Sequence, residues 1–386
     1  MKSVSPTVTL PQLETIRVLA MAAIFLFHLW SVVPDGPATD AARTALGFGY
    51  LGVVVFNMIT GLVLALPTLG PERRRPPGHG EFLRHRFLRI VPHYYVALGL
   101  WVVVARVAAD PAAAQFLAAV AAHVLFVHTL SPATFFAIVP AYWWLGLLAQ
   151  LYLVFPLVLR VYERLGAGRA TLMACAVGWG TWGTMAVLAA DRPGSFVALV
   201  DYMGYYNLPY RLPEFAIGMG IASCVRREGR GPAFVRGRRL ATGAVVGVLL
   251  AVVGPVLLPA GAARALPVLH ARQVAWCLAA FVALLHLGPV ARIGRWRTVA
   301  RLSTTSYSFY LLHQPILGYG AETLAPRLGQ RAAFWLLMVG GGLLSFVLSL
   351  ALDGVARALG PGRPPEGGAG TTGVPGRAAP QGARRP

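Results

Sequence analysis

Eleven apolar segments punctuate this chain, and a sequence built that way has few folds open to it. They lie near residues 13–32, 48–67, 90–108, 113–130, 141–159, 170–189, 207–224, 241–258, 273–290, 304–320 and 333–352. Each is long enough to cross a hydrocarbon core of ~30 Å as a helix. The expected fold class is therefore all-α, a polytopic transmembrane helical bundle. Overall content agrees, since 56% of the 386 residues are hydrophobic and 12% charged, with a mean hydropathy of +0.62, outside the usual range of soluble domains. The lipid bilayer is the first partner this implies. A net charge of +20 would suit nucleic acid, but the arginines sit in short clusters between apolar runs and lack an interleaved aromatic pattern. No nucleic acid partner is expected, and the charge is read as topogenic.

Loop charge orders the spans, because Lys and Arg concentrate on the cytoplasmic side. Residues 70–89 carry six Arg against two Glu, 160–169 three Arg against one Glu, 225–240 six Arg against one Glu, and 289–303 four Arg. These four loops are expected inside. The connections at 33–47 and 190–206 each hold one Arg and two Asp and are expected outside, with the weakly basic 259–272 and 321–332. Both loops flanking residues 90–159 can be cytoplasmic only if that stretch contains an even number of crossings, yet it holds three candidates. Residues 113–130, with His123, His128 and a following SPATFF, are the weakest of the three and are expected to re-enter or to lie at the outer surface. The outcome is about ten spans with N- and C-termini cytoplasmic, in a multi-pass protein of the plasma membrane. Residues 1–355 form a single transmembrane domain. Residues 356–386 are a Gly/Pro/Arg-rich cytoplasmic tail, expected to be disordered, since Gly and Pro fill 14 of the 27 positions from 360 on.

Ionisable groups inside spans cost at least ~2.5 kcal/mol on insertion scales, so they mark functional candidates. LETIRVLAMAAIFLFHLW (13–30) carries Glu14, Arg17 and His28. Eleven helical positions return to within about 20° of the start, so Arg17 and His28 share a face, roughly 16 Å apart along the axis. Arg17 can then face an aqueous edge while His28 lies deep, and Glu14 is placed to pair with Arg17. HRFLRIVPHYY (85–95) sets Arg86 and Arg89 one turn apart where a basic loop meets a span. Paired guanidiniums suit phosphate groups, although an Arg pair at a membrane edge also serves as a plain anchor. YRLPEFAIGMGIA (210–222) holds an internal ion pair, Arg211 with Glu214. SYSFYLLHQPIL (306–317) groups Tyr310, His313 and Gln314 before Pro315, which loosens backbone hydrogen bonding. AYWWLGLLAQLYLVFP (141–156) is an aromatic belt with Gln150 as its polar interior group. No metal site is expected, since the histidines are scattered and lack ligand spacing. Cys175, Cys224 and Cys277 form neither a CxxC pair nor a disulfide framework.

Taken in order, these patches resemble the acyltransferase-3 family of integral membrane O-acyltransferases, over about residues 10–320. LETIRVLA with His28 resembles the family's L-D-G-L-R-x-x-A start and its Arg-x10-His motif. YLGVVVFNMITGLVLA (50–65) is similar to its second span, and Arg86 and Arg89 fall on its R-x-x-R-I-x-P motif. YSFYLLHQPIL is close to its Y-S-x-Y-L-x-H-x-P-I stretch. The departures are specific. Leu148 and Ala149 stand where the family has an acidic pair, Thr60 and Asn57 alter the second span, and Glu14 and Thr15 stand for Asp and Gly.

The resemblance implies transfer of an acyl group, most simply acetyl, from cytoplasmic acyl-CoA to a hydroxyl of a sugar or secondary-metabolite acceptor. On that footing His28 is the general base, and Glu14 or Glu214 substitutes for the missing carboxylate as its partner. Arg17, Arg86 and Arg89 hold the co-substrate acyl-CoA, while Tyr310, His313, Asn57 and Arg211 contact the acceptor. The Arg-rich, Lys-poor composition is that of a high-GC bacterial gene, and the acceptor would belong to the cell envelope or to a secreted natural product. Two other readings stay open: a family member that binds acyl-CoA or lipid without turnover, motivated by Leu148 and Ala149, and a carrier using Arg17, His28, Arg211 and Glu214. The residues do not settle an oligomeric state.

Overall fold

The computed structural model describes residues 10–37, 39–69, 78–109, 113–190, 192–227 and 266–359, and among these every regular element is helical. The helices of seven residues or more are α1 (Gln12–Val32), α2 (Asp40–Gly47), α3 (Leu51–Ala65), α4 (His79–Ala109), α5 (Ala113–Val124), α6 (Trp143–Leu165), α7 (Ala167–Ala190), α8 (Phe196–Gly204), α9 (Leu212–Arg227), α10 (Leu266–His286), α11 (Gly288–Gly294), α12 (Arg297–Leu328), α13 (Gln330–Leu336) and α14 (Gly342–Leu359). A π-helical turn, Leu337–Gly341, joins the last two.

Among the described residues, seven helical stretches are long and apolar enough to cross a membrane: Gln12–Val32, Asp40–Ala65, His79–Ala105, Pro140–Leu165, Ala167–Ala190, Pro267–His286 and Gln330–Leu359. The 32-residue α12 is longer than any of these but carries Ser, Thr, Tyr, His and Gln through its middle. The expected span at 241–258 and residues 360–386 of the expected tail lie outside the described residues, while residues 356–359, expected to be disordered, are the end of α14.

Two expectations about elements change, and the segment 113–130, which was not expected to cross in full, is a short helix: α5 has 12 residues, about 18 Å of rise against a core of ~30 Å. It ends where Phe126 takes a positive φ of 58°, and a 3-10 turn, His128–Leu130, follows. The segment 207–224 is helical only from Leu212. The connection 33–47 contains α2, whose N-terminus is capped when the Ala42 amide donates to Thr39 Oγ1.

Two helix pairs position the site. α3 and α9 touch backbone to backbone, since a Cβ at Gly61 would run into the Phe215 carbonyl and one at Gly218 into that of Met58. Small residues permit such close approach where no hydrophobic drive exists between helices in lipid. α1 packs lengthwise on α12. The main core, including Ile16, Ile59, Tyr94, Tyr142, Leu147, Phe215 and Leu311, fills the space between these pairs, α4 and α6.

Candidate active site

α1 and α12 are joined by two polar rungs. At the first, Arg17 Nη1 donates to Ser303 Oγ at 2.8 Å and to Glu14 Oε2 at 3.3 Å. At the second, the ring nitrogens His28 Nδ1 and His313 Nε2 lie 2.8 Å apart. The rungs are 11 residues apart on α1 and 10 on α12, so both helices run the same way and the rungs are about 15 Å apart.

The proton positions at the second rung follow from its surroundings. His313 is fully buried, and its Nδ1 lies 2.9 Å from the Tyr310 carbonyl and 3.2 Å from that of Phe309. Carbonyls only accept, so Nδ1 carries the hydrogen and Nε2 the lone pair. His28 must then donate from Nδ1, which leaves its Nε2 unprotonated and without a protein partner among the described residues. That is the arrangement a general base needs, with His313 as the group that orients it.

Pro315 shapes this stretch of α12. Having no N–H, it leaves the Leu311 carbonyl without its helical donor, and two side chains take over: Tyr142 Oη donates at 2.8 Å and Trp101 Nε1 at 3.1 Å. The Ala141 amide donates to Gln314 Oε1 at 2.6 Å, and Tyr310 Oη donates to the Ala141 carbonyl. The Tyr310 proton is thus committed to backbone, which removes it as an oxyanion donor. Its ring packs 5.8 Å from that of His313.

Near the first rung stand Arg86 and Arg89. Arg86 is half-buried, with its guanidinium 5.5 Å from the Phe82 ring centroid, and Arg89 is exposed. Arg17 and Arg89 are close enough for their charges to interact, as are Arg86 and Arg89. Among the described residues Glu14 is the one carboxylate paired with any of the three. The cluster therefore keeps a surplus of positive charge, and its planar donors suit phosphate oxygens.

Glu214, Arg211 and Asn57 form a separate network, away from His28. Glu214 is fully buried; its Oε1 accepts from Arg211 Nη1 at 2.7 Å and His270 Nε2 at 2.5 Å, and its Oε2 from Asn57 Nδ2 at 2.5 Å. Trp179 Nε1 donates to His270 Nδ1 at 3.1 Å, so the His270 hydrogen sits on Nε2 and points at the carboxylate. Trp144 Nε1 donates to Asn57 Oδ1 at 2.8 Å, while Arg211 also donates to the Tyr205 carbonyl at 2.6 Å and stacks 4.3 Å over the Tyr205 ring. Every polar group here is already satisfied. The expectation that Glu214 partners His28 is corrected, since its oxygens are taken by Arg211, His270 and Asn57; these residues tie α3, α6, α9 and α10 together. Glu14 is corrected too, because its partner is Arg17 and about 21 Å of helix separates it from His28.

A family model described as an acyltransferase domain matches residues 10–354. The chain belongs to the acyltransferase-3 family. Comparison with curated proteins and with solved structures finds no match.

As a membrane acyltransferase of that family, the chain departs most at Leu148 and Ala149, both buried. Trp144, Leu148 and Tyr152 recur at helical spacing on α6. Trp144 meets the Tyr310 ring at 5.3 Å, and Tyr152 meets Phe82 and Phe87 at 6.4 and 6.3 Å. The family's acidic pair would therefore lie between the arginine cluster and the histidine rung, where this acyltransferase-3 chain has an apolar wall. Gln150 keeps a structural task, with Nε2 donating to Asn207 Oδ1 at 2.5 Å and Oε1 accepting from the Leu208 amide at 3.0 Å. Sequence reasoning missed His270, which sits in ALPVLHARQ with no patterned neighbour, and left His93 unassigned within HRFLRIVPHYY. Among the described residues no group of three His, Cys, Asp or Glu side chains could hold a metal.

Proposed function

We propose that this protein moves an acyl group, most simply acetyl, from cytoplasmic acyl-CoA to a hydroxyl of a sugar or natural-product acceptor at the plasma membrane of a bacterium. The observation that carries the proposal is the pair of rungs on α1 and α12, which sets a phosphate-suited arginine cluster and an unprotonated imidazole nitrogen about 15 Å apart along one seam. Such a span suits a donor whose phosphates and thioester are joined by a long flexible arm.

In the reaction, His28 Nε2 takes the proton of the acceptor hydroxyl as its oxygen attacks the thioester carbonyl. The new C–O bond forms, the C–S bond breaks, and the CoA thiolate leaves and recovers the proton from His28. His313 holds the His28 ring through Nδ1 and stabilises the imidazolium while it carries the proton. General base catalysis of this kind supplies about 10²–10⁴-fold. Arg17, Arg86 and Arg89 bind the phosphates.

The test is transfer of label from acetyl-CoA to a panel of carbohydrate and polyketide hydroxyls in membranes carrying the protein. Acceptor-dependent ester should form with wild type, fall by at least about 10²-fold in His28→Ala, and need more acyl-CoA in Arg86→Ala. CoA binding without ester formation in wild type would instead support the non-turnover reading that Leu148 and Ala149 motivate. Absence of both sinks the proposal.

A further inference from the structure

His93 lies on α4 between the two ends of the seam and has no part in the chemistry above. It follows Arg86 by seven residues and Arg89 by four, so it shares their side of α4, about 6 Å beyond Arg89 along the axis. Its ring meets Tyr307 of α12 edge-on at 5.9 Å, and Tyr307 Oη donates to the Ile90 carbonyl at 3.2 Å. This sets His93 level with Tyr307, between the heights of Ser303 and His313 along α12.

The two ring nitrogens of His93 are in different situations. Nε2 lies 3.4 Å from Asp353 Oδ1 of α14, and the same oxygen accepts from Ser308 Oγ. The carboxylate draws the hydrogen to Nε2 and leaves the lone pair on Nδ1. Nδ1 is buried and has no hydrogen-bond partner among the described residues. An acceptor atom buried in that state costs ~1–3 kcal/mol, a cost removed when a donor arrives.

We infer that His93, held by Asp353, is a binding residue for the middle of the acyl donor: Nδ1 accepts a hydrogen bond from an amide N–H of the arm that joins the phosphates to the thioester. Asp353 is a positioning residue, acting through His93 by fixing which nitrogen carries the hydrogen. The inference rests on acyl-CoA being the donor. It adds a contact that reads the arm rather than the phosphates, and so distinguishes CoA from a nucleotide bearing the same phosphate and ribose groups.

Two ligands separate these contributions in the purified full-length protein reconstituted in lipid nanodiscs. CoA carries the arm, and adenosine 3′,5′-bisphosphate has none. By calorimetry, His93→Phe should weaken CoA about 3- to 10-fold, the worth of one neutral hydrogen bond, and leave the bisphosphate unchanged. Asp353→Ala should move CoA in the same direction by a smaller factor, while Arg86→Ala should weaken both ligands together. Retained bisphosphate binding also shows that each variant is folded. Equal losses for both ligands in His93→Phe, or no loss for either, would overturn the inference while leaving the acyl-CoA reading intact. Failure of wild type to bind CoA strikes the acyl-CoA reading itself.

Discussion

At the residue scale, His313 is placed, on the proposed function, to do the work a carboxylate would do beside a catalytic imidazole. It is neutral, and its influence comes from a backbone carbonyl that fixes its own hydrogen and so dictates where the His28 hydrogen must go. His313→Phe keeps the volume and removes the acceptor. It should lower turnover by up to about 10²-fold with little change in the acyl-CoA concentration needed for half-maximal rate, because the arginine cluster is untouched. Measuring rate against acyl-CoA concentration for wild type and His313→Phe checks this, and an unaltered turnover would mean that His28 needs no partner. The Arg17–His28 relation was legible in the sequence because it depends on one unbroken helix, whose 11-residue spacing has a single geometric outcome. The His28–His313 bond was not legible, since it depends on the register between helices 285 positions apart in the chain. The lost acidic pair drew attention to Glu14 and Glu214, whereas the group that lies against His28 is an imidazole already present in the motif at 306–317.

At the scale of elements, the Glu214 network fastens α9 to α3, α6 and α10 at the backbone contact made by Gly61 and Gly218. Removing one partner of a buried ion pair leaves the other charged and unpaired, at a cost of about 3–5 kcal/mol. Glu214→Ala should therefore lower the midpoint of thermal unfolding in detergent and reduce the yield of monodisperse protein. Any folded fraction should retain its affinity for CoA, since the arginine cluster lies elsewhere. A folded Glu214→Ala variant of unchanged thermal stability that had lost CoA binding would return Glu214 to the binding machinery. The Arg211–Glu214 pair was visible as i, i+3 spacing in an apolar run, but its third partner, His270, arrives from another helix and leaves no local trace. The lengths of α9 and α12 were legible in part. Hydropathy overextends α9 because residues 207–211 are apolar enough to count yet form turns, and it undercounts α12 because the Ser, Thr and Tyr side chains there bond to protein groups rather than facing lipid.

At the scale of the whole molecule, the direction of α1 and α12 decides how donor and acceptor reach each other. Their rungs pair 17 with 303 and 28 with 313 in the same order, so the two helices run parallel and an even number of crossings separates their starts. The sequence expectation, with 113–130 not crossing, puts eight crossings there, an even number; nine would set α1 and α12 antiparallel. The basic residues within 78–89 and 289–303 adjoin the arginine end of the seam, and by the positive-inside tendency that end is expected to face the cytoplasm. The His28 end then lies toward the opposite surface, four residues from the end of α1. On the proposed function, donor and acceptor would then be taken from opposite sides. In sealed vesicles with the cytoplasmic face outward, externally added labelled acetyl-CoA should support ester formation on an impermeant acceptor trapped inside, and His28→Ala vesicles should not. In right-side-out vesicles the same donor added outside should be inert until the membrane is permeabilised, because the arginine cluster is then enclosed. Equal use of external donor in both orientations, with intact vesicles, would mean that the seam does not connect the two faces and that α12 enters the membrane from the other side.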